Sequence, residues 1–95
     1  MFTRVTNYKM KPESIPEATE KLKGMIQQIM AMDGMLSFTN AVNEDGNGVV
    51  ISLVESEEKS NANQDKVAQI WASFSEYLLE APSATGFQVV VHENT

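Results

Sequence analysis

The sequence has no cysteine, a single histidine and no long apolar run, and each absence excludes a class of protein. Without cysteine there is no disulfide, no thiolate metal site and no thiol nucleophile. One histidine and scattered carboxylates argue against a transition-metal site, so we expect no bound metal. No apolar segment reaches the roughly 18–20 residues of a membrane span, and the N-terminus lacks the features of a signal peptide. We therefore expect a cytoplasmic protein without a membrane partner.

Basic residues are also scarce: seven stand against thirteen acidic ones, a net charge of −6. No lysine or arginine follows Lys66, so the acidic excess lies in the second half of the chain. Such a surface repels polyanions and argues against nucleic acid as a partner. The simplest interpretation is a solvated acidic face that keeps the protein soluble, and attraction of a cationic partner is the alternative.

The remaining composition is that of an ordinary globular domain. The chain has 95 residues, of which 42% are hydrophobic and 21% charged. This length excludes two compact domains, and no repeat or linker divides the sequence. We expect one domain over residues 1–95.

The first half of the chain predicts a strand followed by a helix. Alternation over residues 2–10 places one set of side chains on one side of the strand and Val5 and Asn7 on the other. That set comprises Phe2, Arg4, Thr6, Tyr8 and Met10. Ser14 and Glu17 fit a capping box at the start of a helix that contains Gly24 and ends at Asp33-Gly34.

The second half predicts a hairpin, a helix and a last strand. Strands over residues 35–43 and 49–54 are joined by a turn rich in Asn, Asp and Gly. A short helical turn is expected before Asp65, and Asn63 is the predicted N-cap of the main second helix. Its apolar stripe ends before Ala81-Pro82, and residues 86–92 form the final strand. The members of the stripe are Val67, Ile70, Trp71, Phe74 and Leu78.

This order, β-α-β-β-α-β, predicts an α+β fold of ferredoxin-like type. Two helices cover one face of a four-stranded antiparallel sheet, and the other face carries apolar side chains from several strands. Because a monomer leaves such a face in water, we expect a homodimer with the two sheets packed against each other.

Several segments in this order resemble the antibiotic biosynthesis monooxygenase-like family of dimeric α+β barrels. They are the first strand running into Lys11-Pro12, the Asp33-Gly34-Met35 step, the third strand ending in Leu53-Val54-Glu55-Ser56, and the Ala81-Pro82 break before a valine-rich strand. The resemblance implies a cofactor-independent monooxygenase acting on a small phenolic or quinol-type substrate. The same fold includes stress-responsive and other non-catalytic proteins, so a small-molecule-binding module is the alternative.

Members of the family that oxidise polycyclic phenols carry an Asn and a Trp in the third strand, where this chain has Val50 and Val54. Haem-degrading members require a histidine on the second helix, whereas the only histidine here is His92 on the predicted last strand. The resemblance therefore implies no haem and no other cofactor.

The candidate site lies between the second helix and the sheet. Trp71 and Phe74 are the expected walls of a cavity for a small aromatic ligand, and Tyr77 is a candidate hydrogen-bonding group. Asn7, whose counterpart is used in related proteins, is the expected main polar contact. Asn7 and His92 are the only catalytic candidates, His92 because its ordinary pKa lies near neutrality. Each of these residues also has a purely structural interpretation, as a core aromatic, a locally bonded amide or an idle surface histidine.

Overall fold

In the computed structural model, which describes residues 1–95, four strands form one antiparallel sheet with all the helices on one of its faces. The strands are β1 (Phe2–Lys9), β2 (Met35–Val42), β3 (Asn47–Val54) and β4 (Ser83–Gln88), in the order β2-β3-β1-β4. The helices are α1 (Ile15–Lys23), α2 (Ile26–Met30), α3 (Glu57–Ala62) and α4 (Gln64–Ser73), with 3₁₀ turns at Pro12–Ser14 and Ser75–Tyr77. The predicted ferredoxin-like α+β class is confirmed. None of the helices is both long and apolar enough to cross a membrane.

The strand register decides which side chains face the helices. Arg4 of β1 lies opposite Ser52 of β3, and Thr6 lies opposite Val50. These residues belong to the inner face, because Arg4 reaches the side chain of Ser60 on α3. Successive residues of a strand point to opposite faces, so Asn7 belongs to the outer face, where it is exposed.

The predicted hairpin between β2 and β3 is present. The side-chain oxygen of Asn43 accepts hydrogen bonds from the backbone N–H groups of Asp45 (3.0 Å) and Asn47 (3.1 Å). Gly46 has a φ of 88°, and a Cβ there would collide with the carbonyl oxygen of Met10. Gly46 thus has a left-handed backbone conformation, and the turn packs against the end of β1.

The first helix differs from its prediction at both its start and its middle. Ser14 makes no side-chain capping bond, because it ends a 3₁₀ turn and has helical dihedral angles, φ −90° and ψ −6°. An N-cap residue normally has an extended backbone. The helix is also interrupted at Gly24 and Met25, so the expected continuous helix is two short ones.

The second helical region ends earlier than its apolar stripe predicts. Regular helix stops at Ser73, a 3₁₀ turn follows, and Leu78 is extended and forms an isolated bridge with Met10. Asn63 occupies the N-cap position of α4, but its side chain donates to the carbonyl oxygen of Asp33 at 2.8 Å instead of capping the helix.

The last strand lies at Ser83–Gln88, not at the predicted residues 86–92. Gln88 pairs with Phe2, and the next residue donates only to the carbonyl oxygen of Met1. Because β1 begins there, residues beyond Val89 have no partner strand. His92 therefore lies outside the sheet and is exposed, which corrects its predicted place on a strand.

Candidate functional site

A cavity of about 190 Å³ lies between the inner face of the sheet and the helices. Of its 25 lining residues, 17 are hydrophobic, and they come from β1, β2, β3 and every helix except the 3₁₀ turn at Pro12–Ser14. The buried residues of one small hydrophobic cluster form part of this lining. This cluster comprises Tyr8, Met10, Ala18, Val50 and Tyr77.

Aromatic side chains form one wall of the cavity. Trp71 lies in the last turn of α4, Phe74 directly follows the helix, and Tyr77 belongs to the 3₁₀ turn after it. The ring centroids of Trp71 and Tyr8 are 5.5 Å apart, and those of Phe74 and Tyr77 are 6.0 Å apart, both in tilted arrangements. Such distances are typical of aromatic pairs that stabilise one another, so this wall is firmly held.

A hydroxyl–amide pair is the main polar feature of the sheet side. The hydroxyl of Tyr8 donates to Oδ1 of Asn40 on β2 at 2.5 Å. Burial raises the pKa of the Tyr8 phenol above its ordinary value, and the hydrogen bond to Asn40 lowers it by less. Tyr8 is therefore neutral at physiological pH and presents a hydroxyl group to the cavity.

The end of the cavity near α3 carries its only charged lining residue, Arg4. Nε of Arg4 donates to the hydroxyl of Ser60 at 3.1 Å, and Nη2 donates to Oδ1 of Asn61 at 3.1 Å. The guanidinium also lies 5.6 Å from the ring centroid of Phe2. All of its protein partners are neutral.

Three lining residues are exposed to solvent: Thr19 on α1, and Asn40 and Val42 on β2. They mark the opening of the cavity, between α1 and the edge strand of the sheet. Asn40 of the polar pair is therefore on the solvent-exposed side of the cavity, and its partner Tyr8 is buried.

Of the residues that the sequence singled out, the structure brings Trp71, Phe74 and Tyr77 together around the cavity. Asn7 does not line it, because it lies on the outer face of the sheet, and His92 lies beyond β4. The expectation that Asn7 is the main polar contact of a site between helix and sheet is corrected by its position in the strand.

None of the eight polar residues that line the cavity was assigned to the site from the sequence, Arg4 and Asn40 among them. Arg4 lies on the same face of β1 as Tyr8. A charged residue in this alternating pattern was a signal in the sequence that could have indicated a binding group. Asn40 carried none, because its role depends on the pairing of β2 with β3 and on the reach of Tyr8 across the sheet.

The lining residues do not fit a haem bound through an axial histidine. None of them is a histidine, and His92 is separated from the cavity by its position after β4. The described residues also contain no group of three or more metal-ligating side chains.

Comparisons with known proteins establish the fold. No family model matches the sequence, and no curated protein is significantly similar to it. Among solved structures, a monooxygenase of Streptomyces coelicolor in complex with the ligand nanaomycin D has a TM-score of 0.79 at 22% identity, with 99% of this chain and 91% of that chain covered.

Two further structures show the same likeness. A candidate antibiotic biosynthesis monooxygenase from Deinococcus radiodurans has a TM-score of 0.80 at 12% identity, covering 100% of this chain and 98% of that one. A mutant of MhuD with two manganese protoporphyrin IX molecules bound per active site has a TM-score of 0.77 at 17% identity, and both chains are covered completely (100%). The chain therefore has the fold of the antibiotic biosynthesis monooxygenases, as its sequence resemblance predicts.

Proposed function

We propose that the cavity binds a small phenol or quinol and that the protein is a cofactor-independent monooxygenase. The observation that carries this proposal is an apolar cavity, walled by aromatic rings, with one neutral hydroxyl–amide pair beside its opening. An aromatic ring would pack against Trp71 and Phe74, and its hydroxyl would bond to Tyr8 and Asn40. The oxygenases among the structures of the same fold support the reaction class.

The volume favours a substrate with a single ring. A cavity of roughly 150 Å³ lined by apolar side chains holds one benzene molecule. The value here, about 190 Å³, leaves room for one ring and one or two substituents. A fused-ring substrate would have to extend through the opening at Asn40 and Val42.

The proposed reaction uses the substrate as the source of electrons. One atom of O₂ is inserted into the ring of a phenol, the other leaves as water, and the product is a quinone. The cavity has no Asp, Glu or His in its lining, so the phenol proton passes to solvent through the opening. The protein then contributes burial, orientation and the exclusion of bulk water.

One observation favours the alternative, a non-catalytic small-molecule-binding or stress-responsive protein. Val50 and Val54 both line the cavity, at the positions where phenol-oxidising relatives carry an Asn and a Trp. This part of the wall therefore offers only aliphatic contacts. A ligand held against this part of the wall would be bound there by packing.

A ligand screen followed by an oxygenation assay tests the proposal. Trp71 is the only tryptophan, so its fluorescence reports directly on the aromatic wall. Single-ring phenols and hydroquinones are titrated without oxygen, and those that bind are then incubated with ¹⁸O₂ and analysed by mass spectrometry. We expect label in the product and in no product formed with the protein omitted.

Tyr8→Phe and Asn7→Leu serve as a matched pair of variants. Tyr8→Phe removes a cavity hydroxyl and should weaken phenol binding about five- to ten-fold, the effect of one neutral hydrogen bond. Asn7→Leu changes a strand residue of the outer face and should leave the affinity as it is. Binding without consumption under oxygen would support the binding module, and no binding by any phenol or quinol would contradict both functions.

A further inference from the structure

We propose that Arg4 binds the carboxylate of the ligand, so that the cavity selects small aromatic acids over neutral phenols. This inference rests on the proposed binding function and names the substrate class of the same cavity. Among the 25 lining residues Arg4 is the only charged one. An uncharged ligand would leave this positive charge without an anionic partner.

The bonding of Arg4 leaves part of its guanidinium free of protein acceptors. Nε and one N–H of Nη2 are used by Ser60 and Asn61. A guanidinium has five N–H groups, so Nη1 and the second N–H of Nη2 remain. These two nitrogens form one planar end of the group, which matches the two oxygens of a carboxylate.

No carboxylate of the chain neutralises this charge. The ion pairs of the structure are formed by Lys23 and Lys59, and none includes Arg4. This is notable in a chain with thirteen acidic and seven basic residues. Glu57, on the helix that Arg4 contacts, instead accepts a hydrogen bond from Gln88 at 3.1 Å.

The guanidinium is also held in place before any ligand arrives. Ser60, its partner at Nε, is a buried residue of α3, and the ring centroid of the buried Phe2 lies 5.6 Å from the guanidinium carbon. The Phe2 ring extends over Gly86, where a Cβ would collide with it, and Phe2 is buried. A preorganised guanidinium loses little conformational entropy on binding an anion.

The sheet places Arg4 and the hydroxyl–amide pair in adjacent rows of side chains. Arg4 shares a row with Ser52 and Phe38, and Asn40 shares the next row with Val50 and Thr6. Such rows are about 7 Å apart along the strands. Arg4 is on β1 and Asn40 on β2, with β3 between them, so the two residues are also separated by about 10 Å across the sheet. A benzene ring with a hydroxyl at one end and a carboxylate at the other spans a distance of this order when a hydrogen bond is added at each end.

The selectivity can be measured with two nearly isosteric probes, 4-hydroxybenzoate and 4-hydroxybenzamide. They share the ring and the phenol, and only the first carries a negative charge. We expect the native protein to bind the acid about ten-fold or more tightly than the amide, because hydrogen bonds to charged groups are the strong ones. Titration calorimetry gives both affinities without relying on the tryptophan signal.

Arg4→Gln and Lys66→Gln form the matched pair of variants. Each removes one positive charge, but Lys66 is exposed on α4 and does not line the cavity. Arg4→Gln should abolish the preference for the acid over the amide, whereas Lys66→Gln should retain this preference. Arg4→Lys keeps the charge without the planar end, so it should retain only part of the preference.

The outcomes separate this inference from the proposed function. If the amide binds and the acid binds no better, or if the preference survives in Arg4→Gln, Arg4 only holds α3 on the sheet and the inference is wrong. If Arg4→Gln fails to fold, Arg4→Lys and the two probes on the native protein still decide the question. If the native protein binds neither these probes nor any other single-ring phenol, the binding function itself is contradicted.

Discussion

The ring of Tyr8 lies directly over Gly48, its partner on the neighbouring strand, and a Cβ on Gly48 would collide with Cζ of Tyr8. The absence of a side chain lets the ring lie flat across β3 and brings its hydroxyl to Asn40 on β2. The polar pair of the cavity thus depends on the absence of a side chain at Gly48.

Replacing this glycine should displace the pair. We expect Gly48→Ala to destabilise the fold by about 1–3 kcal/mol, as overpacking of a filled site does, and to weaken phenol binding. Gly24→Ala is the matched control, because a Cβ there would lie 3.4 Å from the nearest carbonyl oxygen of its own helix. The control should stabilise the protein by about 0.4–1 kcal/mol. Urea denaturation measures both, and equal effects would contradict the role of Gly48.

Stability should fall at alkaline pH. Burial raises the pKa of Tyr8 above 10.0, so the unfolded chain loses this proton at lower pH than the folded chain does. The contribution is present below about pH 10 and is lost as the pH rises through the raised pKa. Tyr77, whose pKa is raised by burial and then by Glu17 and Glu76, adds to the same trend.

The comparison of native protein with Tyr8→Phe isolates the contribution of Tyr8. Denaturation from about pH 8 to about pH 11 should show a smaller loss of unfolding free energy in the variant. The remaining loss comes from Tyr77 and from Lys59, whose pKa is raised chiefly by its hydrogen bond to Glu55. Equal slopes in the two proteins would mean that the Tyr8 phenol is not perturbed by folding.

Truncating the aromatic wall should lower the free energy of unfolding and enlarge the cavity. Trp71 is half-buried and borders the cavity, so Trp71→Ala should cost about 3 kcal/mol, the low end of the range for a buried tryptophan. The enlarged cavity should bind 2-naphthol more tightly than the native protein does. Trp71→Phe retains a ring and is the control, and circular dichroism follows unfolding in the absence of the tryptophan. Unchanged naphthol affinity would place Trp71 outside the ligand site.

The outer face of the sheet predicts a homodimer. Its centre is aliphatic, and Ile51 and Phe87 are 41% and 50% exposed, more than a monomer favours for side chains that share one sheet face. Analytical ultracentrifugation at micromolar concentration should show a dimer, and Ile51→Lys should shift it to monomer. Thr85→Lys, on the margin of the same face, is the control for added charge. A native monomer would contradict the prediction.

Local sequence was sufficient for most of the elements. The alternation in β1, the stripe from Val67 to Trp71 and the turn at Asn43–Gly48 depend on residues close together in the chain, whose preferences act before any tertiary contact. Predictions from local sequence were wrong where an adjacent segment or a partner strand determined the boundary of an element. Ser14 lost its capping role to the 3₁₀ turn that begins at Pro12, and the last strand stopped at Gln88 because β1, its partner, begins at Phe2.

Part of the candidate site could likewise be predicted from local sequence, and part could not. The apolar stripe of α4 predicted the aromatic wall, because residues spaced at a helical period share one face wherever the helix packs. The polar groups were decided by the tertiary structure alone, since Tyr8 meets Asn40 and Arg4 meets Ser60 across separations of 32 and 56 residues. Those contacts follow from strand register and from the glycines that let long side chains cross the sheet. Asn7 lies between Thr6 and Tyr8 in the chain but faces the opposite side of the sheet, because successive side chains of a strand point to opposite faces.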